Sequence, residues 1–391
     1  MSRSCSSALR YEDAGECARL AMDALAMRRV DGIPSWMLHV MDVRFIEARS
    51  GHAVGAFRDN AREVYLEFQR AVGCGMIDQF IPENPLSMGA CGYESSTPHT
   101  ATTGATDIVL DGIAINSAEA VADHLERVVF PALETAIAGA EAEGDEAVDA
   151  LVQQEAATQA LFGASILKAP YDGFQYFPYL RYTQYGYANY LMAFVMFPEL
   201  MERDFRLQAD LAVRRNAIAA RAIVDGGLPK VIRLDHDMAD SRGTLVDVRA
   251  LDQVWFPHFG RAIQPHLDAG IRLLWHCDGN LMAMVPRLIE AGIGGFQGFQ
   301  YEDGMDYARL CAMRDRDGGP LMIWAGVSVT TTLPHGRPED VRSELRRLVD
   351  FGPKTGLFLG GSSSITPGVP WENLDALIEG LAYYRSHDRA A

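Results

Sequence analysis

The chain has 391 residues, of which 48% are hydrophobic and 22% charged, a balance that supplies a core and excludes a disordered or fibrous protein. Its formal charge of −17 repels nucleic acid and anionic membrane surfaces, so neither is expected as a partner. A strongly anionic substrate is disfavoured as well, unless arginines offset the field locally. No run of about 18 apolar residues is present to span a bilayer. The opening MSRSCSSALRYEDAGE lacks the apolar centre of a signal peptide, and the cysteines at 5, 17, 74, 91, 277 and 311 form no paired framework. Together these predict a cytoplasmic protein with reduced thiols.

Residues 8–30 set Ala and Leu against charge at helical spacing, and Asp31-Gly32 ends that pattern, so 1–32 reads as a helical N-terminal extension. Ile33 to Val40 predicts a first buried strand, 56–73 a helix and Met76 to Ile81 a second strand. From Pro82 to Asn116 the composition turns to Gly, Ser, Thr and Pro, including His99. A stretch of that length without periodicity predicts a functional insertion or lid rather than a simple connection. Residues 117–163 are Ala-rich, acidic and helical.

Beyond that point apolar strands alternate with amphipathic helices: strands at Phe174–Leu180, Val231–Asp237, Arg272–Asp278, Gly295–Gln300, Leu321–Val327 and Gly356–Leu359, with helices between them and a closing helix from Trp371 to Arg385. The alternation predicts parallel βαβ units. Eight strand candidates are the number that closes a barrel, although a doubly wound open sheet fits the same alternation.

The chemistry concentrates in LLWHCDGN, residues 273–280, where an apolar strand ends in an imidazole, a thiol and a carboxylate. Side chains alternate along a strand, so His276 and Asp278 share a face and Cys277 points away. The same parity groups Asp235 with Asp237 and sets His236 apart, while Gln300, Glu302 and Asp303 close the GFQGFQ segment. A ring of His276, Asp278, Asp237 and Glu302 at strand C-terminal ends is expected, suited to a divalent cation or to acid–base work. Competing structural roles are specific: Asp278 as cap of the next helix, His276 as a core histidine, Asp235 and Asp237 held by Arg233 or Arg242. The glycines at 292, 294, 295 and 298 resemble a nucleotide fingerprint but precede or interrupt a strand, which contradicts that motif's mechanics. Gly360 to Ser364 offers an anion-binding loop or a tight turn. The aromatic run Tyr171 to Tyr190, with Tyr185 in it, is either a pocket for a flat or methylated ligand or core packing.

Taken together, DHDMADSRG at 235–243, WHCDGN at 275–280, GGFQGFQYEDGMD at 294–306, WAGVSV at 324–329 and ITPGVPWEN at 365–373 resemble the uroporphyrinogen decarboxylase superfamily, especially its corrinoid-dependent methyltransferase branch, the methylcobalamin:coenzyme M methyltransferases among them. The resemblance covers roughly 175–385, with weaker echoes at 33–42 and 76–85. It implies an α/β protein, one (β/α)8 TIM barrel over 1–391 with the 1–32 extension and an 82–163 insertion, and a site at the C-terminal mouth. True uroporphyrinogen decarboxylases carry an Arg-Gln-Ala-Gly-Arg segment near the first strand; here Trp36 to Asp42 holds no arginine pair, so a polyanionic porphyrinogen lacks its bidentate partners. The thiol-methylating enzymes bind zinc through His-x-Cys and a distant Cys before an Ile-x-Pro turn. This chain keeps His276, puts Asp278 at the first cysteine position and Ser363 at the second.

Oxygen donors in place of thiolates harden the site. The resemblance therefore implies zinc held by His276 and Asp278 with Asp237 or Glu302, or no metal at all. His276, Asp278 and Asp237 are the catalytic candidates, and Glu302, Asp235, Gln300, Tyr185 and Ser363 the substrate-binding ones. The expected activity is methyl transfer between a small molecule and a corrinoid. No DxHxxG-type loop occurs in the chain, so methylcobalamin is expected on a separate corrinoid protein; a homo-oligomer is the other partnership considered. Decarboxylation of a small acid and a non-catalytic ligand-binding barrel are the alternatives.

Overall fold

The computed structural model describes residues 8–87, 108–140 and 144–387. Two short strands, β1 (Met76–Ile77) and β2 (Leu167–Lys168), pair in parallel. The main sheet comprises β3 (Val231–Asp235), β4 (Arg272–His276), β5 (Ile293–Gln297), β6 (Met322–Val327) and β7 (Leu357–Gly361), all parallel, in spatial order β7-β6-β5-β4-β3. Parallel bridges from Ser35 to Leu359 and from Trp36 to Met76 carry the ladder from β7 through residues 35–36 to β1. Eight parallel segments thus follow one another in chain order, 35–36 and then β1 to β7. The ladder is open at one seam: among the described residues no backbone pairing joins β2 to β3. The fold is α/β with a parallel sheet, and the closure expected of a complete barrel is absent from its backbone hydrogen bonds at that seam.

Every residue of β5, β6 and β7 is buried, as expected for strands covered on both faces. Backbones approach so closely at the top of β6 that a Cβ on Gly326 would collide with Gly361. Gly360 to Ser362 is accordingly buried, with Ser362 Oγ accepting from Val329 N at 3.2 Å and its carbonyl accepting from Gln297, while Ser363 and Ser364 are half-buried.

Around the ladder stand α1 (Glu16–Leu25), α2 (Ala118–His124), α3 (Phe130–Ala140), α4 (Asp145–Phe162), α5 (Pro198–Gly226), α6 (Phe256–Asp268), α7 (Pro338–Phe351) and α8 (Trp371–Ser386). Among the described residues no helix is long and apolar enough to cross a membrane. Helix α5 begins with Pro198 in its first turn and stops at Gly227, whose φ of +64° favours glycine. Of the Ser/Thr-rich insertion, residues 88–107, His99 among them, lie outside the described residues. Its end forms a hairpin of Val109–Leu110 with Ile113–Ala114.

The expected strand at Phe174–Leu180 is not one; β2, a few residues earlier, occupies its place in the order. Side chains satisfy the 174–180 backbone instead. Asn216 on α5 accepts from Tyr176 N at 3.2 Å and donates to Tyr176 O at 2.7 Å. Gln208 does the same for Tyr179, and His236 Nε2 accepts from Leu180 N at 2.9 Å. Amide side chains that mimic a strand partner leave no ladder to form.

Side chains also cross the open seam. Arg233 on β3, 2% exposed, donates from Nε to Asp78 Oδ2 at 2.7 Å, from Nη1 to Asp235 Oδ2 at 2.7 Å and from Nη2 to Gln79 at 3.1 Å. Asp78 and Gln79 follow β1, and the Tyr171 ring, just after β2, lies 4.8 Å from the guanidinium. Removing the cation leaves Asp78 buried and unpaired, a loss of roughly 3–5 kcal/mol. Arg233→Met is expected to lower urea stability by that amount, and adding Asp78→Asn to recover part of it, since the two are coupled.

Candidate active site

Strands β3 and β4 run side by side and end together, with Asp235 in register with His276. The chain then turns at Asp237 and Asp278, and Asp278 N donates to Asp237 Oδ1 at 2.8 Å. Ligand atoms of Asp237, His276 and Asp278 all lie within 4.8 Å of one another. Asp278 caps no helix: Oδ2 sits 3.5 Å from Ser363 Oγ, and Oδ1 is buried without a hydrogen-bond partner. His276 Nδ1 is likewise buried without one. Two polar atoms left unsatisfied in one cluster are costly unless something else engages them.

Parity places Cys277 on the far side. Its sulfur accepts from Met238 N at 3.2 Å, and burial pushes its pKa well above the ordinary thiol range, so the thiolate a metal would need is disfavoured. Ser363 is next to Asp278, so a hydroxyl and a carboxylate from distant parts of the chain meet here. Gln300 supports the turn from behind, its Oε1 accepting from Gly279 N at 2.8 Å. Gly279 is required there: its φ is +85°, and a Cβ would lie 2.7 Å from Asp240 O.

The remaining candidates separate. Asp235 is held by Arg233, by the Tyr171 hydroxyl at 2.9 Å and, at its backbone N, by Gln175; its Oδ1 faces His276 Nε2 at 3.7 Å. It orients the imidazole's surroundings from beneath the cluster. Arg242 pairs with Asp240 instead of Asp235 or Asp237. Glu302 does not complete the ring. It turns to Ser328 Oγ at 3.0 Å and to Thr330, lining a separate pocket with Tyr301, Glu344 and Arg347. Tyr185 is fully buried, its hydroxyl bonded to His124 Nδ1 at 2.8 Å and its ring stacked on Tyr190, so it packs in the core away from the cluster. Three contributors escaped sequence reasoning: Asp78, Gln175 and Gly298. Asp78 had a signal, a carboxylate closing an apolar strand, the same pattern that drew attention to Asp278.

The electrostatics follow from this placement. Burial opposes a charged His276, but Asp235 foremost, then Asp278 and Asp237, outweigh it and raise its pKa. Burial first, then Asp237 and Asp235, raise that of Asp278 against the pull of His276. Asp235 goes the other way: burial would raise it, yet His276, Arg233 and Tyr171 together hold it below the ordinary carboxylate range. The result is an imidazole–carboxylate cluster with raised proton affinity at His276 and Asp278, able to hold a cation once deprotonated or to exchange protons.

No family model matches the chain, and no curated protein matches it. Among solved structures, a methyltransferase from Methanosarcina mazei superposes with a TM-score of 0.54 at 14% identity, over 94% of this chain and 98% of that one. A B12-independent methionine synthase from Shewanella sp. W3-18-1, in complex with selenomethionine, aligns over 60% of this chain and 66% of that one, with a TM-score of 0.31 at 14% identity. The first likeness is one of fold.

Gly298 explains how the imidazole fits. Its φ is +79°, and a Cβ there would lie 2.5 Å from His276 Nδ1. Gly298→Ala is therefore expected to shift the His276 ring resonances in a histidine-selective NMR spectrum, with the far-UV circular dichroism unchanged.

Proposed function

We propose that this protein is a methyltransferase, acting between a small molecule and a corrinoid on a separate protein, with a divalent metal, zinc by preference, held by His276, Asp278 and Asp237. The observation that carries the reading is the convergence of one imidazole and two carboxylates within 4.8 Å at the ends of adjacent parallel strands. The orphaned His276 Nδ1 and Asp278 Oδ1 fit a bound cation, and three protein ligands with an open position is the arrangement of catalytic rather than structural zinc. The fold likeness to a protein named as a methyltransferase agrees with the reaction class.

The bound ion would supply Lewis acidity at the reacting heteroatom of the substrate. With one nitrogen and two oxygen donors the site is harder than a thiolate-rich one, so alcohols, ethers and amines suit it better than thiols. The chain's own residues do the rest. Arg233 and Tyr171 keep Asp235 ionised and fixed, Asp235 sets the electrostatic environment of His276, and Ser363 offers Asp278 a hydroxyl in place of water. The burial of His276, with Asp237 and Asp278 half-buried beside it, strengthens each of these interactions. The barrel mouth expected from the resemblance is where both substrates would meet.

Untagged protein loaded with Zn(II) is expected to retain about one ion per chain by elemental analysis, and His276→Ala and Asp278→Asn to lose it. Turnover, followed as loss of the methylcobalamin spectrum with hydroxyl and amine acceptors, should fall about a hundredfold or more in either variant. Unchanged turnover in chelator and in His276→Ala, or metal-independent release of carbon dioxide from a small acid, would overturn the reading.

The protonation states add a second test. His276 and Asp278 both have raised pKa values, so each holds a proton to higher pH than usual, and that proton must leave before the group ligates. Metal affinity should therefore weaken as pH falls, by up to about tenfold per pH unit for each proton displaced. Isothermal titration in buffers of differing ionisation enthalpy counts those protons.

A further inference from the structure

A second cavity, of about 850 Å³, opens beside the seam between β2 and β3, and none of His276, Asp278 and Asp237 lines it. Its size is that of sites for small organic ligands, roughly 300–1,000 Å³. Part of its wall is aliphatic, from Val128 and Val129 and from Leu211 on α5; part is the aromatic loop of Tyr176, Phe177 and Tyr179.

Two independent features mark this cavity as more than a packing gap. The first is the π turn Leu125–Val129, inserted between α2 and α3, whose Val128 and Val129 reach the cavity. Such turns weaken a helix and are frequent where ligands bind. The second is Arg215, whose guanidinium stands over the Tyr176 ring at 5.1 Å from its centroid. No carboxylate among the described residues lies within ion-pair distance of it, although the chain carries a charge of −17. Elsewhere on the same helix Arg203 pairs with Glu134 and Arg221 with Asp145, and Arg181, also in the cavity wall, is neutralised by Asp204 at 2.9 Å. Of the acids in the lining, Asp111 bonds to His124 and Asp235 is held by Arg233, while Asp172 is exposed and burial holds its pKa above the ordinary carboxylate range against Lys168 and Arg233.

A guanidinium over a tyrosine ring, with no carboxylate in ion-pair distance among the described residues and with aliphatic and aromatic walls beside it, suits a planar anion. We propose that this cavity binds a small organic acid with a flat, unsaturated body, its carboxylate on Arg215 and its body between the aromatic loop and the aliphatic helical wall. The site is separate from the metal cluster and does not depend on the methyl-transfer reading. Asp235 and His236, both in the cavity lining, connect it to the cluster: the Asp235 carboxylate faces His276 Nε2 at 3.7 Å, and His236 N donates to His276 O at 3.3 Å.

Benzoate and its neutral isostere benzamide serve as probes, titrated calorimetrically into the full chain. Benzoate is expected to bind saturably, with a dissociation constant on the order of 1 mM or tighter, and roughly tenfold better than benzamide. Arg215→Gln should remove that preference by weakening benzoate alone, while Arg221→Gln on the same helix changes neither. Leu211→Trp, which narrows the slot without altering charge, should weaken both, and His276→Ala should leave both within about twofold. Equal affinity of the wild type for the two probes, no saturable binding of either, an Arg215→Gln protein that still prefers benzoate, or loss of benzoate binding in His276→Ala would each overturn the proposal. The wild-type comparison decides it even where a variant fails to fold.

Discussion

A guanidinium taken wholly out of water stands where the parallel ladder has no backbone bonds to offer. Arg233 ties the residues after β1 to the end of β3, across the gap left between β2 and β3, and the same two-pronged grip sets the position of Asp235. A buried charge is tolerable only when its partners are fixed and complete, and here Asp78, Asp235 and Gln79 supply them. Structure and chemistry meet in this one side chain: it closes the seam electrostatically and delivers a held carboxylate to the underside of His276.

The cluster above it inverts the usual bargain of a protein interior. Most buried polar atoms find partners, yet one nitrogen of His276 and one oxygen of Asp278 do not, while close neighbours such as Asp237 and Ser363 are engaged. Repeated short glycines make room for this: Gly298 under the imidazole and Gly279 at the turn allow the two chains to approach without a Cβ between them. Oxygen atoms alone, from Asp278 and Ser363, meet at this edge of the cluster and set a preference for hard partners.

The aromatic loop after β2 has a different logic. Its backbone is satisfied by Asn216, Gln208 and His236, so it can depart from the sheet and present rings to both sides. Tyr182 stacks on His236 on one side, and Tyr176 meets Arg215 on the other. Burial holds His236 at a pKa of about 4, so it stays neutral and can serve as the acceptor for Leu180. A segment freed from ladder duty in this way can line a cavity, which a regular strand buried on both faces cannot.

Much of this was legible in the residues alone. Alternation along β4 was enough to pair His276 with Asp278 and to turn Cys277 away, because a strand's period of two is a local property. The apolar runs of β3 to β7 announced a parallel sheet for the same reason. What depended on distant chain segments was not legible. Glu302 follows β5 as Asp278 follows β4, yet the pull of Ser328 and Thr330 takes it elsewhere. Tyr185 lies in an aromatic run that offered both pocket and core, and only its contact with His124 decided for core. The run itself has the composition of a strand, but amides 29 to 40 residues further on captured its backbone. Period and side-chain direction are set within a few residues by sterics; which donor meets which acceptor across the molecule is set by packing, and so by the tertiary structure alone.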